Sequence, residues 1–311
     1  MRQKPLQPPT SPWVRSVWAA SKPKTNSLII TLYGDSIAPH GGAMRLGDLV
    51  EVLDRFGVNE RLVRTCVFRL SEAGWLVSKR VGRRSVYSLT PNGMRRFQRA
   101  YKRVYSEQQR QWDGSWTLVC LPTDPDFKTS REHLERELAW EGFGKIASNV
   151  FGHPSPGLMS LREVLEGLNL SNRVHVLSAR SLDVFATLPL RRLVDQSWDL
   201  ASLEKGYRAF GDRFAAFDDL ANAPSLSTAD CFIVRTLLIH WFRRVTLHDP
   251  QIPAELLPED WPGHYAYELC HRIYQLIYRE AETFLAQTVG ASGGALPELS
   301  PWFFQRFGGL I

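Results

Sequence analysis

The sequence is poor in cysteine, and it contains no long apolar run. Its four cysteines, Cys66, Cys120, Cys231 and Cys270, lie far apart inside apolar segments. They form no CxxC pair and no disulfide framework, which suits reduced core thiols in a cytoplasmic protein. Residues 1–26 are broken by five prolines and lack the apolar stretch of a signal peptide. The most apolar later run, residues 231–242, includes Arg235 and His240 and is well short of the ~20 residues that span a bilayer. No membrane partner is expected. The phosphate-binding G-x-x-x-x-G-K-[ST] loop, the G-x-S-x-G elbow and the H-E-x-x-H pair are also missing, so the commonest nucleotide, esterase and zinc-protease chemistries have no carrier. His240, His248, His264, Cys270 and His271 match no regular zinc spacing and read as packed or surface residues.

Charge, by contrast, is plentiful and unevenly placed. The formal net charge is +6, yet residues 1–111 hold 20 Lys/Arg against 7 Asp/Glu and the rest hold 18 against 25. A basic first third on an acidic remainder points to a polyanion partner for one end, and double-stranded DNA fits best. The 311 residues suit two or three domains. Residues 1–26 read as a basic flexible arm.

From residue 27 the pattern becomes regular. An apolar run, residues 28–33, gives a first helix, and residues 34–43, with Pro39, Gly41 and Gly42, give a loop. Leu46, Leu49, Val50 and Leu53 repeat at helical spacing. Asn59 can cap a third helix that stops at Gly74. The period then drops from 3.6 to 2, and residues 76–81 and 85–89 around Gly82-Arg83-Arg84 predict a hairpin. Thr90-Pro91 opens another helix, with proline where its missing N–H costs nothing. Three helices and a basic hairpin in about 60 residues predict a winged helix-turn-helix, its third helix in the major groove and its hairpin on the backbone. On that helix Leu62, Val63, Cys66, Leu70 and Ala73 form the expected core face. Arg61, Arg64, Thr65 and Phe68 lie opposite. Arginines there suit guanine readout, whereas Lys79, Arg80, Arg83 and Arg84 around the turn suit phosphate clamping. The helix after Pro91 carries an apolar seam, Met94, Phe97, Tyr101 and Val104, that is a candidate dimer face.

From Trp116 the runs alternate strand, helix, strand, helix, strand, with a single strand expected over residues 144–151. That order is close to a ferredoxin-like α+β unit. From about residue 198 the pattern is helical. The expected class is α+β multidomain: a winged helix-turn-helix domain over 27–111, a ferredoxin-like central domain over 112–190 and a helical effector and dimerisation domain over 191–311. A metal-dependent nuclease with a DNA-targeting domain is the alternative. Its carboxylate should end the first central strand, but Asp124 and Asp126 come only afterwards, in a proline-broken loop.

Two blocks carry a family resemblance. The first is Val63-Arg64-Thr65, Arg69-Leu70, Gly74-Trp75-Leu76 and the run from Gly82 to Gly93. The second is Arg244, His248-Asp249-Pro250 and the run from Leu256 through Trp261 to Gly263. Together they resemble the PaaX-type repressors of phenylacetic-acid degradation, over about residues 27–288. The resemblance implies a homodimeric repressor, not an enzyme, released from its operator by an aryl- or acyl-CoA thioester such as phenylacetyl-CoA, with no cofactor besides that effector. It also implies a central domain similar to the small nucleases of CRISPR systems. A CoA thioester needs cations for its phosphates and an apolar slot, which directs attention to Arg243, Arg244, Trp241 and Trp261.

Overall fold

A computed structural model describes residues 11–20, 22–106, 111–182, 190–217 and 226–311. Residues 1–107, 208–247 and 264–311 belong to one compact unit, and residues 108–207 and 248–263 to a second. The class is α+β, with a three-stranded and a four-stranded antiparallel sheet.

In the first unit, part of the expected arm is a helix. Residues 1–10 and 21 lie outside the described residues, but α1 (Pro12–Ala20) buries Val14 and Val17. Trp13 packs edge-on against Phe217, with ring centroids 4.6 Å apart. Apolar residues among the basic ones, not the prolines, decide this segment. Helix α2 (Thr25–Leu32) buries Leu28, Ile29 and Leu32. The helical path continues where a loop is expected, through a π-helical turn (Tyr33–Ile37) and a 3-10 turn (Ala38–His40) that ends at Gly41. Gly34 is there for close approach and not as a breaker: a Cβ on it would lie 2.8 Å from the Phe97 ring.

Strand β1 (Ala43–Arg45) and helices α3 (Leu46–Asp54) and α4 (Glu60–Glu72) follow. Asn59 caps α4, accepting from the Leu62 N–H at 2.9 Å. Strands β2 (Leu76–Val81) and β3 (Arg84–Leu89) form the hairpin, and the sheet order is β1-β3-β2. Helix α5 (Pro91–Tyr105) is capped by Thr90, whose hydroxyl accepts from Gly93 N–H at 2.9 Å and donates to the Gly74 carbonyl at 2.6 Å. The seam on α5 is occupied within the chain. Phe97 meets Trp75, the Tyr101 hydroxyl donates to the Trp302 carbonyl at 2.7 Å, and Val104 is buried. It therefore offers no open dimer face.

Helix α10 (Thr228–Thr246) is apolar nearly all round, with a capping box between Ser227 and Asp230. Such a helix needs neighbours on every side. It packs against α1, α2 and α5, which is why carboxyl-terminal helices expected in a domain of their own fold with the amino-terminal third.

In the second unit, strand β4 (Ser115–Cys120) is followed by α6 (Lys128–Trp140), β5 (Gly144–Ala147), β6 (Val150–His153), α7 (Leu158–Gly167) and β7 (His175–Arg180). The expected single strand over 144–151 is thus a hairpin. Residues 148–149 turn the chain, and Ala147 pairs with Val150. The sheet order is β5-β6-β4-β7, with Val119 opposite both Phe151 and Val176. Val119, Phe151, Leu134, Leu138, Leu161 and Leu165 close its core under α6 and α7. Helix α8 (Leu190–Ser197) and then α9 (Leu200–Phe214) follow along the chain, and the Trp198 indole between them donates to the Gly142 carbonyl at 2.9 Å.

Candidate nucleic-acid interface

Helix α4 presents two faces. Val63, Cys66, Val67 and Leu70 are buried, while Arg61, Arg64, Thr65, Phe68 and Arg69 are exposed. Leu62 and Ala73, expected in the core, are exposed, Leu62 by 41%. Val67 takes their place, because the core stripe follows the i, i+3, i+4, i+7 rows from Val63. Arg64 donates from Nε and Nη2 to Glu60 Oε1 at 2.9 and 2.6 Å. Both partners are more than half exposed, so the pair contributes no more than about 1 kcal/mol and is cheaply given up to another acceptor. The Thr65 hydroxyl donates back to the Arg61 carbonyl at 2.9 Å.

Lys79, Arg80, Arg83 and Arg84 are all exposed around the β2–β3 turn. Gly82 there has φ 58°, the left-handed conformation a tight hairpin turn requires. Arg80 Nε donates to the Gly82 carbonyl at 3.2 Å, which steadies the turn. On α5, Arg95 and Arg99 are exposed, and Arg96 lies over the Trp75 ring at 4.8 Å. A capped helix with outward arginines beside a cationic hairpin can hold phosphates and reach base edges.

Of the four residues singled out for an effector, Arg243, Arg244 and Trp241 belong to the first unit and Trp261 to the second. Arg243 is engaged inside the first unit. Its Nε donates to Thr31 Oγ1 at 2.9 Å and its Nη2 to the Ser27 carbonyl and hydroxyl at 2.9 and 2.8 Å. Burial lowers its pKa to about 10. Arg244 and Arg213 both lie over the Trp241 ring, at 5.0 and 4.1 Å. Trp261 belongs to the second unit, buried beside Tyr207 at a centroid distance of 6.1 Å. In that unit the Tyr207 hydroxyl bonds Asp249, which binds the Gln251 N–H at 2.6 Å. The proline-rich block over residues 248–263 thus ties down part of the second unit.

Neither catalytic alternative gains a site. Asp124 stands on the surface, 4.0 Å from Arg173. Cys270 is fully buried, and His271 stacks on Phe307. Among the described residues no three His, Cys, Asp or Glu side chains gather as metal ligands, and no helix is long and apolar enough to cross a membrane.

His240 gives a prediction of its own. The Thr31 hydroxyl donates its proton to the Ser27 carbonyl at 3.0 Å, so it accepts from His240 Nδ1 at 3.1 Å. His240 Nε2 is buried without a hydrogen-bond partner among the described residues. Burial, then Arg243, Arg244 and Arg213, lower the imidazole pKa to about 3. Between that value and the ordinary value near 6.5 the unfolded chain binds a proton that the folded one refuses. Stability is therefore full above pH 6.5 and falls with acidification down to about pH 3. His240→Asn removes this slope. Relative to the parent protein, the variant should gain about 1–2 kcal/mol between pH 7.5 and pH 5 in urea unfolding. Parallel pH profiles would refute the buried neutral imidazole.

Sequence reasoning missed a buried polar cluster of the first unit. Asp35 Oδ1 accepts from the Tyr105 and Tyr274 hydroxyls at 2.6 and 3.0 Å and from Arg306 Nη1 at 3.0 Å. Arg235 Nε lies 3.2 Å from Asp35 Oδ2 but is not aligned to donate. Arg235 instead donates to Glu282 Oε1 at 2.5 Å and to the Ser36 hydroxyl at 2.8 Å. Burial pushes the Glu282 carboxyl up, yet Arg235 and His40 outweigh it and hold it down at about 2. Charged residues inside apolar helices, Arg235 above all, were the available signal.

Comparison with known proteins gives this interface its context. Residues 24–93 match the PaaX-like protein family, residues 109–188 the PaaX protein central Cas2-like domain, and residues 198–287 the PaaX-like protein C-terminal domain. The chain is 38% identical to the transcriptional repressor PaaX of Escherichia coli strain K12 over 286 residues, 91% of this chain and 90% of that one. The chain belongs to the PaaX family. It is accordingly a transcription regulator and not an enzyme. Its fold is similar to the solved structure of Rv0674 from Mycobacterium tuberculosis, with a TM-score of 0.55 and 24% identity, covering 84% of this chain and 98% of that one. Membership in the PaaX family agrees with the blocks around Arg64 and Trp261.

Proposed function

We propose that this PaaX-family protein is a cytoplasmic, homodimeric repressor of a phenylacetate-type catabolic operon, released from its operator by an aryl- or acyl-CoA thioester such as phenylacetyl-CoA. The observation that carries the reading is the exposed row Arg61, Arg64 and Thr65 on a capped helix beside the cationic turn Lys79–Arg84. We read residues 25–89 as a winged helix-turn-helix, with α4 in the major groove and the hairpin along the phosphates. The β4–α6–β5–β6–α7–β7 order supports a ferredoxin-like packing module for the second unit. Since Arg243 already serves Ser27 and Thr31, the cations best suited to an effector's phosphates are Arg244 and Arg213 over Trp241. Trp261, buried in the second unit, is better read as packing.

The test uses a duplex selected by the protein from a random-sequence pool, titrated with and without phenylacetyl-CoA. Affinity should fall tenfold or more with the thioester, and the duplex should weaken thioester binding by the same factor, as linkage requires. An affinity indifferent to phenylacetyl-CoA removes the effector assignment. A protein that selects no sequence at all removes the operator-reading assignment.

A further inference from the structure

Helix α4 also holds a large apolar side chain in solvent, which its cationic surface does not explain. Phe68 is 63% exposed, more than any other aromatic side chain among the described residues. It follows Arg64 by four positions and Arg61 by seven, so the three occupy successive turns of one stripe, about 6 and 10 Å apart along the axis. The ring cannot turn inward, because the opposite stripe of Val63, Cys66, Val67 and Leu70 already fills the core. A single exposed ring is ordinary on a protein surface, but this one stands in line with the outward arginines and gives their stripe one apolar spot. Exposed Arg61, Arg64 and Arg69 outnumber the exposed Glu60 and Glu72 on the helix, and the turn of the hairpin that follows adds Lys79, Arg80, Arg83 and Arg84, so the surface favours an anionic partner over a second copy. A polyanion with an apolar spot is the complementary partner. In the major groove the duplex shows one such group, the 5-methyl of thymine.

We propose that Phe68 is a specificity-determining residue that packs against a thymine 5-methyl in the operator. The proposal rests on α4 lying in the major groove. The spacing also bounds the position of the thymine: an offset of about 6 Å along the helix keeps it within about two base pairs of the pair that Arg64 reads, at 3.4 Å per base pair. The Thr65 hydroxyl is turned to the backbone, whereas Arg61, Arg64 and Phe68 stand exposed along the stripe.

The chemistry allows a test that changes one methyl group. In the selected duplex each thymine is replaced in turn by deoxyuridine, which keeps base pairing and removes only the methyl. At one thymine, or one symmetry-related pair, the parent protein should bind the deoxyuridine duplex about three- to fivefold more weakly, the size expected for re-exposing a methyl-sized group. Phe68→Ala should bind the thymine duplex more weakly by a similar factor and no longer distinguish the two bases there. Phe68→Leu, still apolar, should keep part of the discrimination, and cytosine changed to 5-methylcytosine elsewhere should have no effect. A parent protein indifferent to every deoxyuridine overturns the proposal without any variant. So does a Phe68→Ala protein that still discriminates like its parent. Arg64→Ala separates this failure from that of the groove reading. If it still loses base preference while deoxyuridine is silent, only Phe68 is misassigned; if it loses none, the helix is not in the groove.

Discussion

Asp35→Asn is expected to cost about 3–5 kcal/mol of stability, because it breaks a buried, charged cluster. Asp35 sits in the π-helical turn and accepts from Tyr105 of α5, Tyr274 of α11 (Pro262–Ala291) and Arg306 near the carboxyl end. Arg306 is fully buried and ringed by aromatics, with its guanidinium carbon 4.2 Å from the Tyr105 ring and 4.5 Å from that of Phe303. Burial works against its charge, but the surrounding Tyr105, Tyr274 and Asp35 hold the guanidinium protonated. Removing the carboxylate leaves Arg306 buried without its counter-charge, while Arg235 loses one of its two nearby carboxylates and keeps Glu282. An intact buried pair is weak evidence for stability, because desolvation nearly cancels attraction, yet a broken one is costly. Tyr105→Phe removes one charge-assisted bond and should cost less, about 1.5–3 kcal/mol. Urea unfolding of both variants checks this. A loss below 1 kcal/mol for Asp35→Asn would mean that water reaches the cluster.

The same cluster shows where sequence reading stops. Signals that act within a few residues were legible: Asn59 three residues before its N–H donor, Thr90-Pro91 at a helix start, Gly82 in the hairpin turn. A cap or a turn closes its hydrogen bonds locally, so its chemistry is written in adjacent letters. Asp35 meets Tyr274 and Arg306 across 239 and 271 residues, and no local period announces that. For the same reason the helical path through residues 34–40 is not written locally, since Phe97, which packs on Gly34, lies more than sixty residues on. The seam Met94–Val104 was correctly found apolar, but its partner, the Trp302 segment, lies two hundred residues on. At the candidate interface the outward arginines were legible because exposure follows directly from the helical period. The burial of Arg243 was not, since Ser27 and Thr31 reach it only in the folded unit.

Arg64→Ala and Arg83→Ala should separate base reading from phosphate holding. Arg64 lies in the middle of the exposed stripe of α4, and Arg83 at the tip of the cationic turn. A bidentate arginine–guanine contact discriminates by about 1–3 kcal/mol, more than the exposed Glu60 pair that Arg64 gives up. Arg64→Ala should therefore lose about 5- to 150-fold on the selected duplex, little on random DNA, and its preference at one base pair. Arg83→Ala should weaken both duplexes alike and flatten the dependence of log affinity on log salt by about 0.9, one phosphate's worth of released counterion. Both side chains are exposed, so the folded unit survives either change and the losses report on DNA alone. Equal losses on selected and random DNA for Arg64→Ala would move α4 out of the groove. An unchanged salt slope for Arg83→Ala would lift the hairpin off the backbone. The two outcomes are independent, because a hairpin can hold phosphates whichever face of α4 meets the bases.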